Sequence, residues 1–224
     1  MENNHYLIRK LEVNDLEKIA VCISDINSEL SKELFVAPTI EYINTIISGY
    51  GYSAGIFIED LLIGFASIVF PKLGKNNIGH YINMNNETLL SVAQLEHIYI
   101  LPSFRGNGLA KKLINYLIPK VEHKYTILLS TVSPQNVSSL SLAFNINQRI
   151  IAFTNIYNVN RFIMYRDLTD SLTYYKNDFV EILTTDIHKI IKILNHGYAG
   201  IHFGVNKSTL IFRQEVLMSE KISN

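Results

Sequence analysis

The stretch Leu95–Ala110 has the sequence LEHIYILPSFRGNGLA, which places an apolar run directly before a proline turn and a glycine-containing loop. The apolar run predicts a strand that ends near Ile100, and the following periodicity predicts a helix over Leu109–Val121. A glycine loop that leads into a helix presents backbone N–H groups to an anion at the helix N-terminus. We therefore predict a diphosphate-binding loop here.

Two glycines form the centre of this loop. Gly106 and Gly108 would let the main chain approach a phosphate without an intervening Cβ, and Arg105 would add positive charge. Asn-Gly is also an ordinary turn signal, so the glycines alone equally predict the cap of a surface helix. The spacing excludes the dinucleotide motif Gly-x-Gly-x-x-Gly, and no Gly-Lys-Ser/Thr follows as in a P-loop.

Composition limits the class of protein. The 224 residues are 48% apolar and 18% charged, which suits one large domain, or one domain with an appendage, around a substantial core. Twenty basic and twenty acidic residues give a pI of about 7.1. A neutral chain has no overall field that attracts nucleic acid or an anionic membrane, so we expect neither as a partner.

Cysteine, histidine and the N-terminal residues point to a reducing compartment and no metal. Cys22 is the only cysteine and occupies an apolar-periodic position, which predicts a buried structural thiol. The polar start of the sequence does not resemble a secretory signal, and no apolar run is long enough to span a membrane, so we expect a cytoplasmic protein. His188, His196 and His202 lack the spacing of metal ligands, and no metal is expected.

The motif Arg105-x-x-Gly108-x-Ala110, preceded by Ile100-x-Pro102-x-x-Arg105, resembles the acyl-CoA-binding signature of the GCN5-related N-acetyltransferases, the GNAT family. The resemblance implies acetyl-CoA as cosubstrate, with the backbone of a splayed strand, Leu95–Ile100, pairing with the pantetheine amides. The residues it assigns to CoA binding are Ile98, Tyr99, Ile100, Arg105, Gly106, Asn107, Gly108, Leu109, Ala110, Asn136 and Ser139.

The predicted elements agree with this resemblance over residues 5–168. Their order is βααβββαβαββ, with 71–86 as a long polar loop, and the predicted fold class is α/β with a mixed, mostly antiparallel sheet flanked by helices. The predicted strands are 6–11, 52–58, 61–70, 92–100, 126–132, 149–157 and 161–167, and the helices begin at Asn14 or Asp15, Pro38 or Thr39, Leu109 and Val137.

Residues 169–224 lie outside the resemblance and form a predicted extension. A helix begins at Thr185 or Asp186 and ends at Gly197, and residues 199–216 follow as a hairpin. Such an extension could cover the acceptor site, lengthen the sheet or pair with a second subunit, and a homodimer is one of these possibilities. The predicted domains are therefore 1–168 and 169–224.

Acetyl transfer to an amine requires a base, because an amine is nucleophilic only when neutral. We predict Glu96 for this role, since several GNAT enzymes have a carboxylate at the corresponding position. Strand alternation places Glu96 on a face with Gln94, Ile98 and Ile100, while His97 and Tyr99 take the opposite face. The alternative is that Glu96 is a solvated strand residue, and His97 is the second candidate.

The chain departs from the family after Asn136, which matches the asparagine that opens a helix in many members. The tyrosine that protonates the departing thiolate in those members lies seven or eight residues later, where this chain has Ala143 and Phe144. Either Tyr157 or Tyr165 replaces it, or the thiolate leaves unassisted, or catalysis is absent. Ser138 and Ser139 are further hydroxyl donors, although helix-start serines usually cap.

We expect direct acetyl transfer from acetyl-CoA to a primary amine of a small molecule in a ternary complex. The long loop and the extension favour an enclosed acceptor over a peptide, and GNAT acceptor pockets often lie near the positions of Tyr42, Tyr50, Tyr52 and Tyr81. A CoA-binding sensor without turnover is the alternative, as is acetylation of a protein or an aminoacyl-tRNA amine.

Overall fold

The computed structural model describes residues 6–29, 31, 34–156, 158–169 and 175–215. These residues form two compact units, of which the first extends to Ser130 and the second begins at Thr131. This division falls within a strand and differs from the predicted boundary after residue 168, which separates the GNAT-like region from the extension and stays a prediction.

The first unit is a five-stranded sheet with helices packed on it. Its sheet order follows the chain order β1 to β5, and neighbouring strands are antiparallel except for the parallel pair β4 and β5. The predicted mixed, mostly antiparallel fold class is therefore confirmed. The elements are β1 (Leu7–Lys10), α1 (Leu16–Glu29), α2 (Ile40–Thr45), β2 (Gly51–Ile58), β3 (Leu61–Val69), α3 (Asn86–Leu90), β4 (Val92–Ile100), α4 (Leu109–Leu117) and β5 (Ile127–Val132), whose last two residues belong to the second unit.

Apolar side chains on both faces of this sheet pack against the helices. Phe65 and Val69 of β3 point to a cluster that includes Ile19 of α1 and Ile43 of α2. Helix α4 also packs on β2 and β3 but contributes no residue to this cluster, so it covers the opposite face. Alternation along β3 explains both contacts, since Ala66 and Ile68 are buried as completely as Phe65.

The predicted loop 71–86 is partly ordered into short helical turns. A 3₁₀ turn over Ile78–Ile82 is capped by Asn77, and α3 follows with Asn85 as its cap. Both turns are shorter than the window over which periodicity can be recognised, so the sequence pattern did not predict them. The next helix, predicted to Val121, ends at Leu117 and continues as a 3₁₀ turn that contains Pro119.

The second unit is an antiparallel sheet in the order β7, β6, β9, β10, β8. Strand β9 pairs with β6 at Gly200 and Ile150, so the extension lengthens the sheet. Its roles as an acceptor cover or a dimer contact stay predictions. The four-residue strand β8 was not predicted. The elements are α5 (Val137–Asn145), β6 (Arg149–Ile156), β7 (Val159–Asp167), β8 (Val180–Leu183), α6 (Ile187–Asn195), β9 (Tyr198–Phe203) and β10 (Thr209–Gln214).

Candidate active site

Strands β4 and β5 separate part of the way along their length. They pair from Val92 to Gln94, opposite Ile127 to Leu129, and no later residue of β4 pairs with a described residue of β5. On its other side β4 remains paired with β3 as far as Ile100. The part of β4 that follows Gln94 is where an extended, amide-containing ligand would bind as an additional strand.

A β-bulge in β4 changes which side chains share a face. Phe65 pairs with Tyr99 and Ser67 pairs with Glu96, so the pairing moves by three residues along β4 for two residues along β3. His97 takes up the extra residue with a φ of 54°. Glu96 and Tyr99 consequently share a face, and the predicted grouping of Glu96 with Ile98 and Ile100 is wrong.

The Glu96 carboxylate lies in a network of polar groups. Its Oε1 accepts a hydrogen bond from Gln94 Nε2 at 3.1 Å, and its Oε2 accepts one from the Tyr42 hydroxyl at 3.1 Å. The side chain is 19% exposed, so the carboxylate is sheltered but still reachable from solvent. Two donors hold it in one orientation, as a base at a defined position requires.

His97 lies beside Glu96 and not on the opposite face as predicted. Its Nε2 is 3.1 Å from Glu96 Oε2, close enough for an ion pair when the imidazole is protonated but without hydrogen-bond geometry. The imidazole also packs edge-on against the Tyr42 ring, with 5.6 Å between ring centres. The bulge explains this placement, because the positive φ at His97 interrupts the alternation of side chains.

Two of the four predicted acceptor-pocket tyrosines lie together near this carboxylate. The rings of Tyr42 and Tyr50 are 6.3 Å apart, and the Tyr50 hydroxyl accepts a hydrogen bond from Asn76 Nδ2 at 2.7 Å. Tyr52 instead lies beside Tyr116 of α4, and burial raises its pKa. Side chains alternate between the two faces of the sheet along β2, and Tyr52 points to the face on which α4 packs. The fourth tyrosine, Tyr81, is exposed in the 3₁₀ turn.

The glycine loop has the backbone conformation that the sequence predicts. Gly106 and Gly108 have φ values of 80° and 70°, which residues other than glycine rarely adopt. A Cβ at either position would meet no described atom within 4 Å. Backbone conformation and not crowding therefore requires glycine, and the space beside the loop is open to a ligand.

Arg105 turns back toward the strand. Its Nε donates a hydrogen bond to the Ile100 carbonyl at 2.9 Å, and the guanidinium lies 5.4 Å from the centre of the Tyr99 ring. Asn107 similarly bonds through Nδ2 to the carbonyls of Phe104 and Arg105. These side chains fix the shape of the loop, which leaves its backbone N–H groups as the groups that face a ligand.

The N-terminus of α4 differs from the other helix starts. Gly108 caps it without a side chain, and its first turn contains Lys111 and Lys112, where the helix dipole ordinarily favours acidic residues. Uncapped N–H groups and two lysines suit a diphosphate such as that of CoA. By contrast, α2, α3, α5 and α6 each begin with a capping residue whose side-chain oxygen accepts a hydrogen bond from a backbone N–H of the first turn. These capping residues are Thr39, Asn85, Asn136 and Asp186.

The remaining predicted residues lie in the second unit. Asn136 is the cap of α5, where its Oδ1 accepts a hydrogen bond from the Ser139 N–H at 3.0 Å. Phe144, which replaces the family tyrosine, packs edge-on against Phe203 of β9 with ring centres 5.5 Å apart. This contact with the extension gives Phe144 a packing role.

Of the two replacement proton donors, Tyr157 lies outside the described residues. Tyr165 is half-buried in the second unit, and burial raises its pKa, which makes it a weaker acid. The Arg149 guanidinium lies 4.5 Å from its ring centre and carries an ion pair with Glu215. These contacts explain the presence of a tyrosine at position 165 without a role in proton transfer.

Cys22 is a buried thiol, as predicted. It is 2% exposed, and burial raises its pKa to about 11, so it is neither ionised nor accessible at neutral pH. Within the described ranges, no three side chains are grouped as a metal would require. None of the described helices is both long and apolar enough to cross a membrane.

Comparison with protein families matches residues 25–144, just over half of the chain, to the acetyltransferase (GNAT) family. The chain belongs to this family. Membership implies acetyl-CoA-dependent acetyl transfer, and the part of β4 after Gln94, the glycine loop and the uncapped start of α4 are the features of this GNAT protein that fit the cosubstrate. Comparison with curated proteins gave no match.

Solved structures with the same fold include two acetyltransferases and the protein NAA60. One is an N-acetyltransferase from Staphylococcus aureus Mu50, with 19% identity and a TM-score of 0.58, matched over 74% of this chain and 99% of its own. Another is yncA, a putative acetyltransferase from Salmonella typhimurium with its cofactor acetyl-CoA, with 13% identity, a TM-score of 0.59 and coverages of 75% and 96%. Arabidopsis thaliana NAA60, in complex with a bisubstrate analogue, has 17% identity, a TM-score of 0.57 and coverages of 75% and 100%. About a quarter of this GNAT protein therefore lies outside each match.

Proposed function

We propose that this GNAT protein transfers the acetyl group of acetyl-CoA directly to a primary amine of a small molecule, with Glu96 as the base. The observation that carries the proposal is the position of the Glu96 carboxylate, held by two donors where β4 leaves β5. The thioester supplies an activated acetyl group. The carboxylate takes a proton from the incoming ammonium, directly or through water, and so generates the neutral amine.

The same strand also supports stabilisation of negative charge on the reacting carbonyl. The backbone of β4 after Gln94 is held in place by its pairing with β3, which continues to Ile100. Backbone N–H groups held in this way stabilise an oxyanion without rearrangement. The thiolate leaves without a tyrosine at position 144, which its ordinary pKa of about 8.5 permits.

Direct transfer is favoured over a covalent acyl-enzyme because the only cysteine is buried and un-ionised. The small-molecule acceptor rests on the ordered segment after β3. Asn76 bonds to Tyr50, and Ile78 bonds to Gln94, so this segment is fastened against the elements that surround Glu96. A fastened segment favours an enclosed acceptor. The extension lengthens the sheet of the second unit, and its role as an acceptor cover stays a prediction.

A protein acceptor is the second candidate. Two further structures with this fold are ribosomal-protein-alanine N-acetyltransferases, from Brucella melitensis and Escherichia coli. A peptide acceptor would need an open groove beside Glu96. The non-catalytic sensor is favoured by Phe144 alone, and the packing of that ring against Phe203 provides another reason for its presence.

The test is thiol release from acetyl-CoA across a panel of small amines and N-terminal peptides, beside calorimetric binding of CoA. We expect turnover with one class of small amine, lost by at least about 100-fold in Glu96→Gln, in line with the contribution of a general base. The matched control is Glu122→Gln, an exposed glutamate after α4, which should keep full activity. CoA binding without turnover on any amine would establish the sensor, and turnover with peptides alone would establish a protein acceptor.

A further inference from the structure

Gln94 is a fully buried polar residue at the point where β4 leaves β5. Its side chain has no exposed surface, and it is the last residue of β4 that pairs with β5, opposite Leu129. A buried amide must satisfy both its oxygen and its nitrogen, since each unsatisfied polar group lowers stability. The partners it uses therefore show what the residue does.

The two ends of the Gln94 amide contact different elements. Its Oε1 accepts a hydrogen bond from the backbone N–H of Ile78, at the start of the 3₁₀ turn, and its Nε2 donates to Glu96 Oε1 at 3.1 Å. A backbone N–H can only donate, so the amide oxygen must face Ile78. The amide nitrogen is then directed at the Glu96 carboxylate, and the orientation of the amide does not depend on a choice of flip.

Only an acceptor can satisfy the nitrogen of Gln94. An ionised carboxylate accepts through both oxygens, whereas a protonated carboxyl group loses acceptor capacity on one of them. Among the described residues, the other groups that face this carboxylate are the Tyr42 hydroxyl from α2 and the neighbouring His97 imidazole. Of the three groups, the Gln94 amide is the only one that carries neither a charge nor a titratable proton.

We infer that Gln94 is a positioning residue that fixes the orientation of the Glu96 carboxylate through the hydrogen bond to Oε1, and that it connects this carboxylate to the turn at Ile78–Ile82. The role of Glu96 as base rests on the proposed function. The hydrogen bond itself and its effect on the ionisation of Glu96 can be measured without turnover.

The first test uses the unaltered protein with selective labels on side-chain amides and glutamate carboxyl carbons, with Glu96→Gln assigning the Glu96 resonance. We expect the Gln94 side-chain amide resonances to move with the same midpoint as the Glu96 carboxyl carbon when pH is varied, in protein saturated with CoA. Gln94 resonances that stay in place while Glu96 titrates would overturn the inference.

The second test is Gln94→Met, which keeps the length of the side chain and removes the donor. We expect the Glu96 titration, and the acidic limb of the pH dependence of kcat/KM, to move up by about one pH unit, because a hydrogen bond to a charged group is lost. The plateau at high pH should be retained. Gln148→Met is the control for disturbing a buried glutamine, since Gln148 lies in the second unit, and it should leave both midpoints unchanged.

Gln94→Met leaves the Ile78 N–H unsatisfied and so destabilises the fold. A second variant that keeps this hydrogen bond is therefore needed. Gln94→Glu keeps an acceptor for that N–H, loses the donor and adds a like charge, so it should raise the Glu96 midpoint further. A folded Gln94→Glu or Gln94→Met protein with an unchanged Glu96 midpoint would overturn the inference. If no amine is turned over but the titrations are coupled, the proposed function fails and the inference stands.

Discussion

The variant Gly108→Ala tests whether the glycine loop binds the diphosphate of CoA or only contributes to the stability of the fold. Gly108 has a φ of 70°, and a Cβ there would meet no described atom within 4 Å. The cost to the fold is therefore the left-handed conformation itself, about 1–2 kcal/mol. For a chain of this size, that free energy lowers Tm by about 2–8 °C.

The effect on CoA binding should exceed what this loss of stability explains. The added methyl group would point into the open space beside the first N–H groups of α4, where we place the diphosphate. We expect calorimetry to show CoA affinity reduced at least about tenfold, which corresponds to about 1.4 kcal/mol.

Gly197→Ala is a matched control. Gly197 follows α6 in the second unit and has a φ of 80°, and a methyl group there would likewise meet no described atom within 4 Å. It should lose similar stability and bind CoA with unchanged affinity. Unchanged CoA affinity in folded Gly108→Ala protein would refute the assignment of the loop, and equal losses in the two variants would show that the effect is global.

Three further predictions concern the first unit. Arg9 donates two hydrogen bonds of 2.7 Å to Asp15 and lowers the pKa of that carboxyl group. The pair therefore stabilises the fold above the unfolded pKa of about 3.9, and this contribution is lost as pH falls through the lower folded pKa. Asp15→Asn should reduce the free energy of unfolding at pH 7 by about 1–3 kcal/mol and flatten its acid dependence in urea titrations. Tyr42→Phe removes the second donor to Glu96 and should also raise the acidic limb of the pH–rate profile, whereas an unchanged limb would show that this hydroxyl is dispensable. Cys22→Ala should keep acetyl transfer at the wild-type rate once folded, and loss of turnover in folded protein would argue for a covalent route.

The sequence predicted the fold of the GNAT-like region because its elements carry strong local signals. The second helix, for example, was predicted to begin at Pro38 or Thr39, and Thr39 caps it in the structure. The strand Val92–Ile100 and the loop after it were predicted with the bounds that the structure shows. These features depend on residues that are close in sequence, where periodicity and turn chemistry are most informative.

The arrangement around Glu96 could not be predicted in the same way. Its face is set by a register shift against β3, and the residue that takes up the shift is a histidine with a positive φ. No glycine or asparagine at position 97 marks the bulge, so strict alternation was the only available guide. The Gln94 bridge was missed for a related reason, since Ile78 is 16 positions away and contributes only its backbone N–H.

The pairing of β9 with β6 affects how this protein can be divided. A fragment ending at Leu168 would contain all the elements that the GNAT resemblance covers, yet it would leave β6 as an edge strand with unpaired backbone groups. It would also uncover Phe144, whose ring packs on Phe203. Open edges flanked by apolar side chains template association between chains, so we expect such a fragment to aggregate more readily than the longer chain.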